Sequence, residues 1–328
     1  MGGSEMGYKV LLAQDVHNSG KQLLEEHGYE IVLSPYEDED TIKELIQDCD
    51  AVFSKTFFLT EEILKSGKKL KVIAKHGTGI DNVVDIETAS RLGIYVVNTP
   101  LANGDSVAEH TITGMMAFAK KLVKMDFETR KGNFRANECG DLHEVLGKTL
   151  GIIGLGNIGR KVAKIAALGL DMNVIGYDPY VKNGTLPEYI TLASDLNAVL
   201  KQSDYVTLHL GATVETKGLV DKSKLELMKP TAVLLNFARG SIVVEKDLII
   251  ALKEGVIAGA VLDVYENEPV NIDNPLLSME NVLLSPHSAA VTDEALCRMS
   301  YQGAQGIVEI LSGEKPAWCP NFELIRGL

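Results

Sequence analysis

Short apolar runs alternate with amphipathic segments along the first hundred residues. Lys9 to Ala13, Glu30 to Leu33, Ala51 to Phe53, Lys71 to Lys75 and Ile94 to Val97 have the length and apolar content of buried strands. Between them fall helical segments, His17 to His27, Glu39 to Asp48, Glu61 to Ser66 and Asp85 to Leu92. In the second of these, Ile42, Leu45 and Ile46 share one face. Strict alternation of this kind predicts a parallel sheet covered by helices on both faces. Pro100 closes the last strand, and Asp105 or Ser106 is placed to cap a long helix, Val107 to Met125. A looser stretch, Lys131 to Gly147, leads to a second run of alternating elements. Strands are predicted at Leu150–Ile153, Asn173–Tyr177, Asp204–Leu208, Ala232–Phe237, Ile257–Asp263 and Val282–Ser285. Helices are predicted at Lys161–Leu168, Glu245–Lys253 and Thr292–Leu311, and the tail after Gly313 shows no period. The pattern implies two α/β domains, each a doubly wound parallel sheet, which suits 328 residues.

Composition narrows the function classes. A formal net charge of −13 argues against non-specific binding to nucleic acid or to anionic membrane. The most apolar helix carries Glu109, His110, Lys120 and Lys121, so it belongs to a soluble protein and does not span a membrane. Cys49, Cys139, Cys297 and Cys319 are scattered without zinc-like spacing, as expected of reduced thiols in a cytoplasmic protein, and no N-terminal signal is visible. His76, His110, His143 and Glu109 likewise lack metal-ligand spacing, so no metal is expected.

One stretch carries specific chemistry. After the strand Leu150–Ile153 come Gly154, Gly156 and Gly159, giving G-x-G-x-x-G, with Asn157 and Ile158 opening a helix. Gly154 permits a tight turn, Gly156 lets backbone approach a pyrophosphate, and Gly159 allows close helix–strand packing; the helix N-terminus offers N–H groups to the phosphates. The next strand ends in Asp178, 24 residues beyond Gly154, where such a fold places the carboxylate that binds the adenine ribose. A 2′-phosphate would be repelled there and no arginine follows at once, so NAD is expected.

Open sheets bind ligands beyond the carboxyl ends of their strands, and three residues fall at such ends: Arg239, Glu268 and His287. Hydride transfer to a carbonyl leaves an alkoxide that needs a proton, for which histidine is suited. A carboxylate on its other ring nitrogen fixes the tautomer, and an arginine binds a substrate carboxylate and polarises the adjacent carbonyl. Arginine, acid and histidine together fit reduction of a 2-keto acid.

The chain resembles the D-isomer-specific 2-hydroxyacid dehydrogenases, among them the phosphoglycerate, glycerate and D-lactate dehydrogenases. The resemblance is carried by His76-Gly77-Thr78-Gly79-Ile80-Asp81-Asn82, Ser106-Val107-Ala108-Glu109-His110, Gly147 to Gly151, the glycine motif, His209-Leu210, Thr213, Asn236 to Gly240, Asp263-Val264, Glu266 to Pro269 and Pro286-His287. It implies that Arg239 binds the substrate carboxylate and carbonyl, and that His287 is the acid/base paired with Glu268. It implies that the Thr78 and Gly79 amides hold the carboxylate, with His76 near the substrate. Asp263 would orient the nicotinamide carboxamide, and Ser106, His209, Thr213, Phe237 and Ala238 would line the cofactor. It also implies a Rossmann NAD-binding domain, 104–290, inserted in a flavodoxin-like substrate domain, 1–103 with 291–328, and a homodimer joined through the cofactor domain and its helical arm. Gly211 replaces the family's proline after His209-Leu210, which predicts a more flexible loop over the adenosine. Ser54 with Lys55 stands where phosphoglycerate enzymes carry an arginine, which disfavours phosphoglycerate. The chain leaves no room for the regulatory domain of longer relatives, so serine feedback by that route is not expected. The rival readings are a formate or phosphite dehydrogenase on the same frame, and a non-catalytic NAD-sensing scaffold like the family's corepressors.

Overall fold

A computed structural model describes residues 7–182 and 184–327. The chain divides into two compact units, Met1–Asn103 with Val291–Leu328, and Gly104–Ala290. In the first, among the described residues, β1 (Lys9–Leu12), β2 (Glu30–Leu33), β3 (Ala51–Ser54), β4 (Val72–Lys75) and β5 (Tyr95–Val97) form a parallel sheet in the order β2-β1-β3-β4-β5. Every residue of β3 and β4 is buried, which is why these strands read as unbroken apolar runs: helices cover both faces. Ile42, Ile46, Ile63 and Leu64 pack on one face; Leu24, Ala304 and Ile307 pack on the other. Each of these leucine and isoleucine side chains contributes about 1.5–3 kcal/mol by leaving water. The helix Asp293–Leu311 lies so close to the sheet that a Cβ on Gly303 would meet the Phe53 ring at 2.4 Å. A short helix, Phe322–Arg326, escapes the sequence pattern because at five residues it is too short to show a period; Phe322 anchors it in the core.

In the second unit, among the described residues, β6 (Thr149–Ile153), β7 (Asn173–Tyr177), β8 (Ile190–Leu192), β9 (Tyr205–Leu208), β10 (Val233–Asn236), β11 (Gly259–Leu262) and β12 (Val282–Leu284) are all parallel, in the order β12-β11-β10-β9-β6-β7-β8. The order reverses between β6 and β9, and the crevice for a ligand opens at such a switch point. Val107, Met115, Val162 and Ala166, from helices Gly104–Ala119 and Asn157–Leu170, cover one face. Val199, Leu200, Leu248 and Leu252 cover the other.

The single helix predicted from Val107 to Met125 is two helices, Gly104–Ala119 and Leu122–Arg130. Lys121 between them is left-handed, at φ 45°. The break falls where burial ends: Ala119 is the last core residue, and the second helix buries none. Neither Asp105 nor Ser106 caps the first helix from outside; the helix begins at Gly104 and both lie within it.

Candidate active site in the glycine-turn unit

Gly154 follows β6 with φ +96°, and a Cβ there would lie 2.4 Å from the His209 carbonyl oxygen, so only glycine lets β6 and β9 turn away side by side. A Cβ on Gly159 would lie 2.0 Å from the Gly154 carbonyl oxygen, which is the close helix–strand contact the third glycine permits. Gly156 faces open space and, as the N-cap, offers no side chain to the helix beginning at Asn157. The leading amides, of Asn157, Ile158 and Gly159, are therefore uncapped by any side chain, and the Asn157 Nδ2 is buried without a partner. An anionic pyrophosphate fits this cradle.

Asp178, at the end of β7, is fixed by its neighbours. Its Oδ2 accepts from the Leu155 N–H at 2.9 Å and its Oδ1 from the Tyr180 N–H at 2.9 Å. The carboxylate is thus tied to the glycine turn, where it can accept from ribose hydroxyls. Arg160 braces the same turn by donating from Nε to the Leu155 carbonyl at 2.7 Å, a role that sequence spacing did not suggest. His209 ends β9; burial pushes its imidazole down to about 3, so the ring is neutral, and Nε2 meets the Thr207 hydroxyl at 3.0 Å. The loop beyond it is pinned despite Gly211: Thr216 Oγ1 donates to the Gly211 carbonyl at 2.7 Å, and Thr213 N donates to Thr216 Oγ1 at 2.8 Å.

Arg239, Glu268 and His287 leave the carboxyl ends of β10, β11 and β12. The buried Asn236 shapes the first turn, donating to the Arg239 carbonyl and accepting from the Ala238 N–H. A Cβ on Gly240 would lie 1.8 Å from the Tyr265 carbonyl oxygen, so this turn rests directly on the loop that bears Glu268. Phe237, at the same strand end, is buried edge-on to the His110 ring. Glu268 Oε1 accepts from the Tyr265 N–H at 3.0 Å, and its Oε2 lies 2.6 Å from His287 Nδ1. Burial alone would raise the Glu268 carboxyl. The hydrogen bonds from His287 and from Tyr265 N, with the charges of His287 and Arg239, outweigh it and hold the group below its ordinary value. An ionised carboxylate only accepts, so Nδ1 carries the hydrogen and Nε2 is left to exchange a proton. Both side chains remain about one-third exposed, as a group that meets a diffusing ligand must be.

His287 itself is left-handed, at φ 53°, a conformation that costs a non-glycine residue about 1–3 kcal/mol. Asp263, 1% exposed, holds the turn: Oδ1 accepts from Ser285 Oγ at 2.6 Å and from Ser288 N at 2.8 Å, and Oδ2 accepts from Ala289 N at 2.9 Å. Ser106 donates its hydroxyl to the Ala289 carbonyl at 2.7 Å.

His76, Thr78 and Gly79 belong to the first unit, where they follow β4. Burial, and then the charges of Lys55 and Lys75, push the His76 imidazole down to about 4. Thr78 is locked by its side chain to Asn103 and by its carbonyl to Asn98, while among the described residues nothing engages the Thr78 and Gly79 amide N–H groups. At the β1/β3 switch point Gln14 Oε1 accepts from the N–H groups of Lys55, Thr56 and Phe57. No group of side chains among the described residues could hold a metal ion, and none of their helices is long and apolar enough to cross a membrane.

Residues 112–289 match the family model of the D-isomer specific 2-hydroxyacid dehydrogenase NAD-binding domain. The chain is 36% identical over 327 residues to a glyoxylate reductase of Korarchaeum cryptofilum, covering 97% of each protein. It is 38% identical over 308 residues to a D-3-phosphoglycerate dehydrogenase of Methanocaldococcus jannaschii, covering 93% of this chain and 58% of that one. The chain thus spans little more than half the length of the phosphoglycerate dehydrogenases it matches. Among solved structures, the NADPH-dependent glyoxylate/hydroxypyruvate reductase of Sinorhizobium meliloti, in complex with NADP and malonate, superposes with a TM-score of 0.84 at 27% identity, over 95% of this chain and 97% of that one.

Proposed function

Because the chain belongs to the D-isomer-specific 2-hydroxyacid dehydrogenase family and carries its NAD-binding domain, we propose that it transfers a hydride between NAD(H) and a small 2-keto acid, interconverting it with the D-2-hydroxy acid. The observation that carries this reading is the 2.6 Å Glu268–His287 pair beside the Arg239 turn, on the sheet whose glycine turn fits a pyrophosphate. Gly154–Gly159 and Asp178 would hold the nicotinamide cofactor, which would supply or accept the hydride when bound. Arg239 binds the substrate carboxylate and polarises the adjacent carbonyl. His287 Nε2 gives a proton to the oxygen as negative charge grows on it, and Glu268 stabilises the resulting imidazolium orientation. Glyoxylate and hydroxypyruvate are the substrates we favour, given the reductases to which the chain is similar. Lys55, whose ammonium donates to the Asp15 carbonyl, supplies a point charge and no fork for a phosphate.

The fixed Asp178 carboxylate supports NAD over NADP. Apolar residues exposed along the arm, Val123, Phe127, Phe134 and Leu146, support a homodimer covering that surface, and four unpaired cysteines suit the cytoplasm. The test is loss of NADH absorbance when the protein is mixed with glyoxylate, hydroxypyruvate, pyruvate and phosphohydroxypyruvate in turn. Turnover of at least one of the first two is expected. NADH formation from formate or phosphite instead would select the rival enzyme, and a tight protein partner without turnover would select the sensing scaffold. Sedimentation at micromolar concentration checks the dimer.

A further inference from the structure

The hydrogen bonds around His287 extend beyond the residues that meet substrate. Tyr265 stands between the loop that bears the acid and the turn that bears the histidine. Its backbone N–H occupies Glu268 Oε1, which leaves Oε2 for His287 Nδ1. Its hydroxyl donates to the Ser285 carbonyl at 2.9 Å, one residue before Pro286 and two before His287. Pro286 has no N–H, so no backbone bond at that position can fix the direction in which the chain leaves β12. Ser285 adds a second tie through Oγ, which donates to Asp263 and meets His110 Nε2 at 3.3 Å. On its far side the Glu268 loop is held by Glu245, whose carboxylate accepts from Glu266 N and from Asn274 Nδ2.

We propose that Tyr265, acting with Ser285, is a positioning residue for the His287–Glu268 pair, its hydroxyl bolting the histidine turn to the acid loop so that Nε2 is presented in one orientation. The inference rests on the reading of His287 as proton donor. Packing alone does not account for a tyrosine here: the ring is buried in the apolar core, where phenylalanine would serve, and the hydroxyl is spent on one carbonyl. Burial, together with the charges of Asp263, Glu268 and Glu245, pushes the phenol up to about 12, so the hydroxyl remains a donor throughout the working range.

The test uses Y265F in the full chain, which removes one oxygen and keeps the ring. The expected result is a fall in kcat of about fivefold, the rate equivalent of one hydrogen bond, with the KM for NADH within twofold of wild type. S285A is expected to behave alike, and S285T, which restores the hydroxyl, to recover most of the loss. A readout free of turnover is the downfield Nδ1–H proton resonance of His287, assigned by its loss in H287Q. It is expected to be sharp in the wild type and broadened by solvent exchange in Y265F. An unchanged linewidth and kcat in Y265F, or no such resonance in the wild type, overturns the inference. A sharp resonance that broadens in Y265F in a protein turning over no keto acid leaves the positioning intact and overturns the functional reading instead.

Discussion

His287 gains its chemistry from what surrounds it: an ionised Glu268 on Nδ1, a left-handed backbone held by Asp263, and Nε2 left over for a ligand. Glu268→Gln replaces the carboxylate with an amide that cannot stabilise an imidazolium, and a loss in kcat of about tenfold or more is expected in steady-state assays, with NADH binding unchanged. At the other end of the cofactor, Asp178→Ala removes both the repulsion toward a 2′-phosphate and a ribose acceptor. The NADH-to-NADPH ratio of kcat/KM is expected to fall by about tenfold, the equivalent of roughly one charged hydrogen bond. Arg239, Glu268, His287 and Asp178 stand out in the sequence as candidates because each is a charged or titratable residue at the end of a predicted strand or in the loop just after it. Tyr265 and Arg160 were not legible, because they act on backbone carbonyls, and such a bond leaves no trace in residue type or spacing; nor was Ser285, whose hydroxyl serves the Asp263 carboxylate 22 residues earlier.

Among the elements, the parallel strands were easiest to read, since burial on both faces writes them as apolar runs. The break at Lys121 was illegible: Lys120 and Lys121 are ordinary helix formers, and what stops the helix is the end of the surface it packs on. The Arg239 turn and the Glu268 loop meet through Gly240, whose missing side chain is filled by the Tyr265 backbone. Backbone cannot swing aside as a side-chain tip can. Gly240→Ala is therefore expected to lower stability by about 1–3 kcal/mol, read as a lower urea midpoint, and to reduce turnover by parting the two loops.

Across the whole molecule, the two units carry separate cores, and their stabilities respond to pH through different groups. In the first, His76 is neutral when folded, its value lowered from 6.5 to about 4. The unfolded chain then binds the extra proton between those values, so stability rises with pH across that window. The contribution is complete above about 6.5 and is lost as pH falls toward 4. Calorimetry between pH 7 and pH 5 is expected to show the transition of this unit falling, at a cost on the order of 1 kcal/mol per pH unit. His76→Gln is expected to flatten that slope. The doubly wound order of both sheets was foreseeable from strand–helix alternation, but the buried His76 sits beside the Phe53 ring and the Leu296 backbone, the latter more than 200 residues away in sequence, and no local pattern announces it.

In the proposed reaction His287 protonates the carbonyl oxygen of a 2-keto acid while NADH, its pyrophosphate held at the glycine turn, is oxidised. The most direct measurement is the steady-state rate of NADH oxidation with glyoxylate and with hydroxypyruvate, in the wild type and in His287→Ala, each with NADH affinity determined separately. Turnover by the wild type is expected, with a kcat lower by about 100-fold or more in the variant and equal NADH binding in both. A variant that keeps the wild-type kcat, or a wild type that binds NADH and reduces neither acid, would contradict it.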